Sequence, residues 1–209
     1  MLKPSLEEVK ALAKQYNTIP VFYEFSADNQ TPLNIYTALS KDSRNSFILE
    51  SVSNGVQWDR YSFVGVSPKE EICITGNTAE IRTGDKIETK EVEQPIAFLK
   101  ERMAAYRSPV LEGAPNFTGG LIGYFGYDTV RYMEKKLTHV PEDDIHMPDC
   151  HLFLYEELLA YDHLTSNGIV ILNLHTDGDL GAQYAAAQWR AEELADIVRH
   201  YNPQPQVRQ

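Results

Sequence analysis

The chain has 209 residues, 43% of them hydrophobic and 11% aromatic, which is enough to bury a substantial core as one large domain or two small ones. Its formal net charge of −11, with positive side chains scattered among acidic ones, excludes a basic stripe for a phosphate backbone, so we expect no nucleic-acid partner. No stretch approaches the roughly 18 consecutive apolar residues of a membrane span, and residues 1–4 lead into a polar helix rather than a signal peptide. We therefore expect a cytoplasmic protein with no membrane partner. Cys73 and Cys150 are too few for a disulfide framework and are expected to be buried thiols.

The N-terminal part of the chain is predicted to combine two helices with a series of short strands. Ser5-Leu6-Glu7-Glu8 has the form of a capping box, and Thr31-Pro32 supplies a cap and a first-turn proline, so each marks a helix start. Pro20 confines its strand to a sheet edge or to a strand start, and Asn54-Gly55 is a hairpin turn signal. The predicted elements are helix 5–16, strand 18–25, helix 32–39, strands 46–53 and 58–66, and further short strands up to about residue 89.

A glycine-rich segment, residues 117–128, interleaves four glycines with aromatic and aliphatic side chains. Glycine weakens a strand unless another backbone or a ligand approaches closely there, or the strand bends. Both close packing in a sheet and direct ligand contact remain open, and packing is favoured because glycine by itself names no ligand. The spacing matches neither a dinucleotide fingerprint, which needs a Gly-x-Gly opening, nor a Walker loop, which needs a following Lys-Ser or Lys-Thr.

The C-terminal part is predicted to contain a hairpin between two helices. The predicted elements are helix 94–106, strands 150–162 and 168–175, and helix 181–201. Asp179 is available as a cap for the last helix. Residues 202–209 begin with a proline-rich run that is typical of a linker, so we place the domain at residues 1–201. Helices interspersed with antiparallel hairpins indicate an α+β fold with antiparallel sheets and flanking helices, rather than a doubly wound parallel sheet.

Side chains suited to catalysis or metal binding are few. Residues 146–151 gather two imidazoles, a thiol and a carboxylate, but Pro148 between the histidines favours a loop leading into a buried strand over a metal site. Glu142-Asp143-Asp144 lacks the periodicity of a calcium loop and is interpreted as a solvated acidic loop. No nucleophile, base and orienting group can be assembled, so we predict no catalytic residue and no metal site in this chain.

One carboxylate and one hydroxyl, Glu50 and Ser51, lie within an apolar, strand-forming run. A buried ionised carboxylate is costly unless a positive group meets it, so Glu50 either pairs with Arg60 or receives a cationic ligand group. A two-residue hairpin turn would set Ser51 opposite Trp58 and Glu50 opposite Asp59, which is an unfavourable pairing of like charges. Either the turn is longer, or the two acids hold a cation between them.

A free amino acid would suit such a site. Its ammonium would meet Glu50, and its carboxylate would accept hydrogen bonds from Ser51, Arg60 or backbone amides. Its side chain would rest against Trp58, Tyr61 or Phe63. The residues alone favour the internal pair of Glu50 with Arg60, and both interpretations stay open.

Six segments of the chain occur together in a recognisable order. They are Thr18-Ile19-Pro20-Val21, Thr31-Pro32-Leu33, Ile48-Leu49-Glu50-Ser51, Trp58-Asp59-Arg60-Tyr61-Ser62-Phe63-Val64-Gly65, residues 117–128 and Leu159-Ala160-Tyr161-Asp162-His163. Together they resemble the N-terminal region of anthranilate synthase component I and, less closely, that of aminodeoxychorismate synthase component I. The resemblance covers almost the whole chain, and it is specific in combination although each motif alone is weak.

The resemblance implies part of a larger molecule with two layered antiparallel sheets. In the family, the large subunit converts chorismate to anthranilate with magnesium, using ammonia that a glutamine amidotransferase subunit releases from glutamine. The catalytic and magnesium-binding residues belong to a C-terminal chorismate-binding region expected after residues 202–209. We therefore expect no cofactor within residues 1–201, and we expect that region and the amidotransferase subunit, component II, as partners.

The resemblance also implies part of a feedback site for L-tryptophan. The family's Leu-Leu-Glu-Ser motif falls on residues 48–51, with isoleucine at the first position, and its Arg-Tyr-Ser-Phe motif falls on residues 60–63. The expected effector-binding residues are Glu50, Ser51, Trp58, Asp59, Arg60 and Tyr61. The resemblance therefore shifts the balance from an internal ion pair to a ligand site.

Two other functions stay open. In aminodeoxychorismate synthase a similar pocket would hold tryptophan as a structural ligand, although the Glu50-Ser51 pair favours anthranilate synthase. A non-catalytic scaffold that offers sheet edges to partners is the second alternative.

Overall fold

The computed structural model describes residues 1–50, 60–134, 136–137 and 146–203. The chain divides into two compact units, the first built from Met1–Ser67, Arg107–Gly119 and Glu156–Gln209, and the second from Pro68–Tyr106 and Gly120–Tyr155. Each unit contains one five-stranded antiparallel sheet with helical segments. The predicted α+β class is therefore confirmed. The predicted boundary between a domain at 1–201 and a linker at 202–209 stays a prediction.

The helices and strands follow one another as α1 (Leu6–Leu12), β1 (Thr18–Ser26), α2 (Pro32–Leu39), β2 (Ser46–Leu49), β3 (Tyr61–Val66), β4 (Glu70–Thr75), β5 (Thr78–Thr83), β6 (Lys86–Glu91), α3 (Pro95–Ala104), β7 (Gly120–Phe125), β8 (Cys150–Tyr155), β9 (Glu157–Asp162), β10 (Asn167–His175) and α4 (Leu180–His200). Short 3-10 helices cover Ser40–Asp42 and Tyr127–Tyr132. In the first unit the strand order is β1-β10-β9-β3-β2, and in the second it is β6-β5-β4-β8-β7.

The core of the first unit brings its sheet together with α1, α2 and α4. Val9 of α1, Ile35 of α2 and Ala191 of α4 are each 0% exposed and share one apolar cluster with Val21 and Val64 of the sheet. Burying a side chain the size of valine or isoleucine contributes about 1.5–3 kcal/mol, so this layer holds β3 firmly in place. The strand that carries the candidate site is thus anchored on one of its faces.

Local signals predicted the helix starts correctly. The Ser5 side chain accepts a hydrogen bond from the Glu8 amide in a complete capping box, and Thr31 and Asp179 cap α2 and α4. Helix α1 ends at Leu12 rather than at residue 16. The chain tightens after it, since the amides of residues 14 and 15 donate to carbonyls three positions back, as is common at helix ends.

Pro20 lies in β1, which is an edge strand as predicted. The predicted strand 150–162, in contrast, is two strands. It breaks at Glu156, so that β8 pairs with β4 and β7 while β9 pairs with β10 and β3. Hydrophobic patterning did not reveal the break because both halves are apolar.

The packing of β7 against β8 in the second unit accounts for a glycine of the glycine-rich segment. Gly123 lies in the middle of β7 opposite Leu152 of β8. A Cβ atom at Gly123 would collide with the carbonyl oxygen of His151 and would lie 2.9 Å from the Cα of Leu152. Of the two interpretations of this segment, close packing in a sheet is the one that this geometry supports.

Candidate functional site

The pairing of β2 with β3 sets the position of the predicted ligand residues. Leu49, the last residue of β2, lies opposite Phe63. The register expected from a two-residue turn would set Leu49 opposite Arg60 instead, so that register is wrong. Residues 54 and 55, where the turn was expected, and Asp59 lie outside the described residues.

Glu50 follows β2 directly, and its side chain is exposed. The expectation of a buried carboxylate inside an apolar strand is therefore wrong. The reason is topological, because β2 is an edge strand of its sheet and the neighbouring Leu49 is 45% exposed. An exposed carboxylate needs no internal counter-ion, so Glu50 can receive a positive group from outside the chain.

Arg60 pairs with an acid that the sequence analysis did not single out. Its Nε donates to Oδ1 of Asp162 at 3.0 Å, and its Nη2 donates to Oδ2 at 2.7 Å. The predicted internal pair of Arg60 with Glu50 is therefore wrong. Asp162 is the last residue of β9 and lies opposite Tyr61 in the sheet, so the β3–β9 register brings the two partners together.

Asp162 is held from several sides. Its side chain is 2% exposed, against 47% for that of Arg60. Besides the guanidinium, Oδ1 accepts from the Leu164 amide at 3.0 Å and Oδ2 from the Thr165 hydroxyl at 3.0 Å. The hydrogen bonds from Arg60 are the main reason that the pKa of Asp162 is lowered, and they raise the pKa of Arg60 in turn. Asp162 is thus an ionised, fully bonded carboxylate at the end of its strand.

Aromatic rings continue from the guanidinium along β3. The Cζ of Arg60 lies 5.0 Å from the ring centroid of Tyr61, and the Tyr61 and Phe63 centroids are 6.1 Å apart. Phe63 in turn meets Phe117 edge to face at 5.4 Å. Burial raises the pKa of the Tyr61 phenol, so its hydroxyl stays neutral near pH 7. The arrangement offers a fixed cation beside apolar rings.

The structure brings together only part of the predicted site. Arg60 and Tyr61 contact each other, and Glu50 lies at the end of the adjacent strand. Ser51, Trp58 and Asp59 lie outside the described residues. Asp162 could have been found in the sequence as a charged residue ending an apolar strand, but its partner could not.

A second polar pair joins Ser62 of β3 to His163, and the sequence analysis did not predict it. The Ser62 hydroxyl is 2.8 Å from Nε2 of His163, whose ring meets that of Tyr161 at 5.0 Å. Ser62 is 1% exposed, so its hydroxyl is not accessible to a substrate. The neighbouring carboxylate of Asp162 is occupied by the partners described above. This pair therefore lacks the exposed nucleophile and orienting acid of a catalytic triad.

Across residues 1–50, 60–134, 136–137 and 146–203, no three histidine, cysteine, aspartate or glutamate side chains come together in a way that could hold a metal ion. Residues 142–144, the predicted acidic loop, lie outside that part of the chain.

Within the same described part of the chain, none of the helices has the length and apolar character required to cross a membrane.

The chain is similar in sequence and in fold to proteins of one known family. The sequence profile described as chorismate binding enzyme matches residues 47–209. Anthranilate synthase component 1 of Acetivibrio thermocellus is 38% identical over 194 residues, which are 93% of this chain and 39% of that protein. The Pseudomonas aeruginosa protein of the same name is 37% identical over 196 residues, with 92% and 39% covered. The crystal structure of anthranilate synthase component I from Streptococcus pneumoniae TIGR4 has a TM-score of 0.52 and 25% identity, covering 84% of this chain and 36% of that chain.

The chain thus spans 39% of the length of these two curated relatives. The resemblance to anthranilate synthase component I that the six motif segments indicated is confirmed. By its sequence and its fold, the chain belongs to the family of chorismate binding enzymes.

Proposed function

We propose that this chain is the N-terminal regulatory and structural part of a cytoplasmic anthranilate synthase component I, and that it contributes part of a feedback site for L-tryptophan. The observation that carries the proposal is the exposed, fixed guanidinium of Arg60 directly before β3, next to the strand β2, which Glu50 follows. The names of the relatives support the enzyme, and the match to the Leu-Leu-Glu-Ser motif supports the effector.

The complete enzyme would convert chorismate and ammonia to anthranilate, pyruvate and water. A glutamine amidotransferase subunit, component II, would release the ammonia from glutamine. Magnesium would be held by the C-terminal chorismate-binding region, as the resemblance to the family implies. The proposed contribution of this chain is therefore regulation of the chorismate site rather than the chemistry itself.

The proposed site recognises the two charges of the amino acid separately. The exposed carboxylate of Glu50 would meet the ammonium, and the guanidinium of Arg60 would meet the carboxylate. Tyr61 would offer an apolar ring to the indole, with Ser51, Trp58 and Asp59 expected to complete the site. Opposite charges on neighbouring strands suit a zwitterion better than an ion of one sign.

Inhibition would follow from differential affinity. Tryptophan would bind one arrangement of the complete enzyme more tightly than the other, and the less active arrangement would gain population. The size of the effect cannot exceed the ratio of the two affinities.

The test uses the complete polypeptide with its amidotransferase subunit. We expect Glu50→Gln to raise the tryptophan concentration for half inhibition by about ten-fold or more, because a hydrogen bond between charged groups is lost. Ser51→Ala should act in the same direction. Glu91→Gln alters an exposed glutamate on the edge strand β6 and serves as the matched control, with inhibition expected to be unchanged. Equal inhibition constants for Glu50→Gln and the parent would reject the proposal.

A further inference from the structure

The ion pair between Arg60 and Asp162 leaves one edge of the guanidinium out of the contact. Asp162 engages Nε and Nη2, while Nη1 takes no part in the pair. The Arg60 side chain is 47% exposed even though its partner is 2% exposed. The pair is therefore buried on the acid side and open to solvent on the arginine side.

Arg60 is held in this orientation by the chain itself. An arginine side chain loses about 2 kcal/mol of rotamer freedom when it is fixed, and here that loss occurs before any ligand binds. Two parallel hydrogen bonds set the plane of the guanidinium, and the Tyr61 ring lies 5.0 Å from its Cζ. The acceptor is rigid as well, because Leu164 and Thr165 occupy the remaining positions of its oxygens.

Asp162 also changes what Arg60 can recognise. A lone arginine attracts any anion through its net charge, whereas this pair is neutral overall. Attraction to a ligand then depends on a hydrogen bond with the correct direction, from Nη1 to an acceptor at one place. A carboxylate is the natural acceptor, since arginine donors match carboxylate oxygens in geometry and charge.

We propose that Asp162 is the positioning residue that presents the Nη1 edge of Arg60 to the carboxylate of a bound amino acid. This inference rests on the proposed amino-acid site and adds the residue that fixes its carboxylate specificity. The alternative is a purely structural pair that only closes the ends of β3 and β9. Such a pair would affect stability without affecting which form of the ligand binds.

The chain offers a matched control for the structural alternative. Arg190 of α4 donates to Glu157 through Nε at 2.9 Å and through Nη2 at 2.7 Å, which is the same side-on geometry. Glu157 and Asp162 are the first and last residues of the same strand, β9. Glu157→Gln therefore weakens a comparable pair in the same unit but away from the proposed site.

The experiment compares two ligands by titration calorimetry on the complete polypeptide. L-tryptophan carries the carboxylate, and L-tryptophanamide replaces it by a neutral amide. At about pH 6.5 the α-amino group of each ligand stays protonated, so the ligands differ in charge only at that end. We expect the parent to bind L-tryptophan about ten-fold or more tightly than the amide, as one charge-assisted hydrogen bond allows.

Asp162→Glu keeps the charge of the pair but moves the carboxylate by one methylene, so it should bring the two dissociation constants to within about two-fold of each other. Glu157→Gln should leave their ratio as in the parent. Arg60→Lys keeps the positive charge but cannot bond side-on, so it should also lower the ratio. Arg60→Lys decides the question if Asp162→Glu does not fold. An unchanged ratio in Asp162→Glu or in Arg60→Lys overturns the inference.

The measurements distinguish a failure of the proposed effector site from a failure of the positioning role of Asp162. If Glu50→Gln weakens L-tryptophan binding but Asp162→Glu keeps the parent ratio, the effector site stands and the positioning role is wrong. If the parent polypeptide binds neither ligand, both proposals are wrong.

Discussion

Asp162 and Arg60 lie 102 positions apart in the sequence and form two parallel hydrogen bonds, at 3.0 and 2.7 Å, across the ends of β9 and β3. The acid is buried, and the arginine is half exposed. An acid in this position determines the local stability of the sheet as well as the direction in which the arginine points.

The first prediction concerns the free energy of unfolding. Asp162→Ala should lower it by about 2–3 kcal/mol, because the Leu164 amide, the Thr165 hydroxyl and the Arg60 guanidinium all lose their acceptor. Arg60→Ala should cost less, since that side chain is half exposed. Urea unfolding of both single variants and the double variant would give the coupling, expected at about 1–2 kcal/mol. Strictly additive effects would show that the ion pair contributes nothing.

The second prediction concerns pH. The pKa of Asp162 is lowered from its ordinary value of 3.8, chiefly by the hydrogen bonds from Arg60. A group with a lowered folded pKa stabilises the protein above its unfolded pKa, and this contribution disappears as the pH falls through the folded pKa. The difference in unfolding free energy between the parent and Asp162→Asn should therefore be full at about pH 6 and shrink below about pH 4. A difference that stays constant down to pH 3 would contradict this assignment.

The third prediction concerns the close approach of β7 and β8. Gly123→Ala should destabilise the second unit by about 1–3 kcal/mol, because the new methyl group would meet backbone atoms of His151 and Leu152 that cannot move without breaking the sheet. Gly126→Ala is the matched control, since a Cβ there would lie 3.1 Å from its nearest neighbour, the carbonyl oxygen of Asp149. Urea unfolding should rank the control as clearly milder. Equal losses would mean that the collision at Gly123 is relieved by a shift of the strand.

The fourth prediction concerns thiol reactivity. Cys150 is 1% exposed, and burial raises its pKa to about 11. Because the thiolate is the reactive form, Cys150 should react with a disulfide reagent at pH 7.5 only as fast as the protein opens. The labelling time course of Cys73→Ser, compared with that of the double variant Cys73→Ser and Cys150→Ser, reports on Cys150 alone. Labelling of the native variant at the rate of a free thiol would contradict the burial of Cys150.

Features that depend only on neighbouring residues could be predicted without the structure. The capping box at Ser5, the cap at Asp179 and the edge position of Pro20 each follow from backbone groups within a few residues, so their effect is nearly independent of the fold. The α+β class followed from the same local signals, because patterns with periods of two and 3.6 residues were distinct along most of the chain. The motif segments then identified the family, since their order carries more information than any one of them.

Contacts between residues that are distant in sequence follow from the fold and could not be predicted from local patterns. Several acids near Arg60 in sequence were possible partners. Arg60 pairs with Asp162 because β3 pairs with β9, whose residues are about a hundred positions away in the chain. The exposure of Glu50 likewise depends on β2 being an edge strand, which no local pattern specifies. Strand order and register arise from long-range packing of the whole sheet, and a shift of one residue would exchange its two faces. The chemistry of each candidate residue was therefore readable from the sequence, but its partners were not.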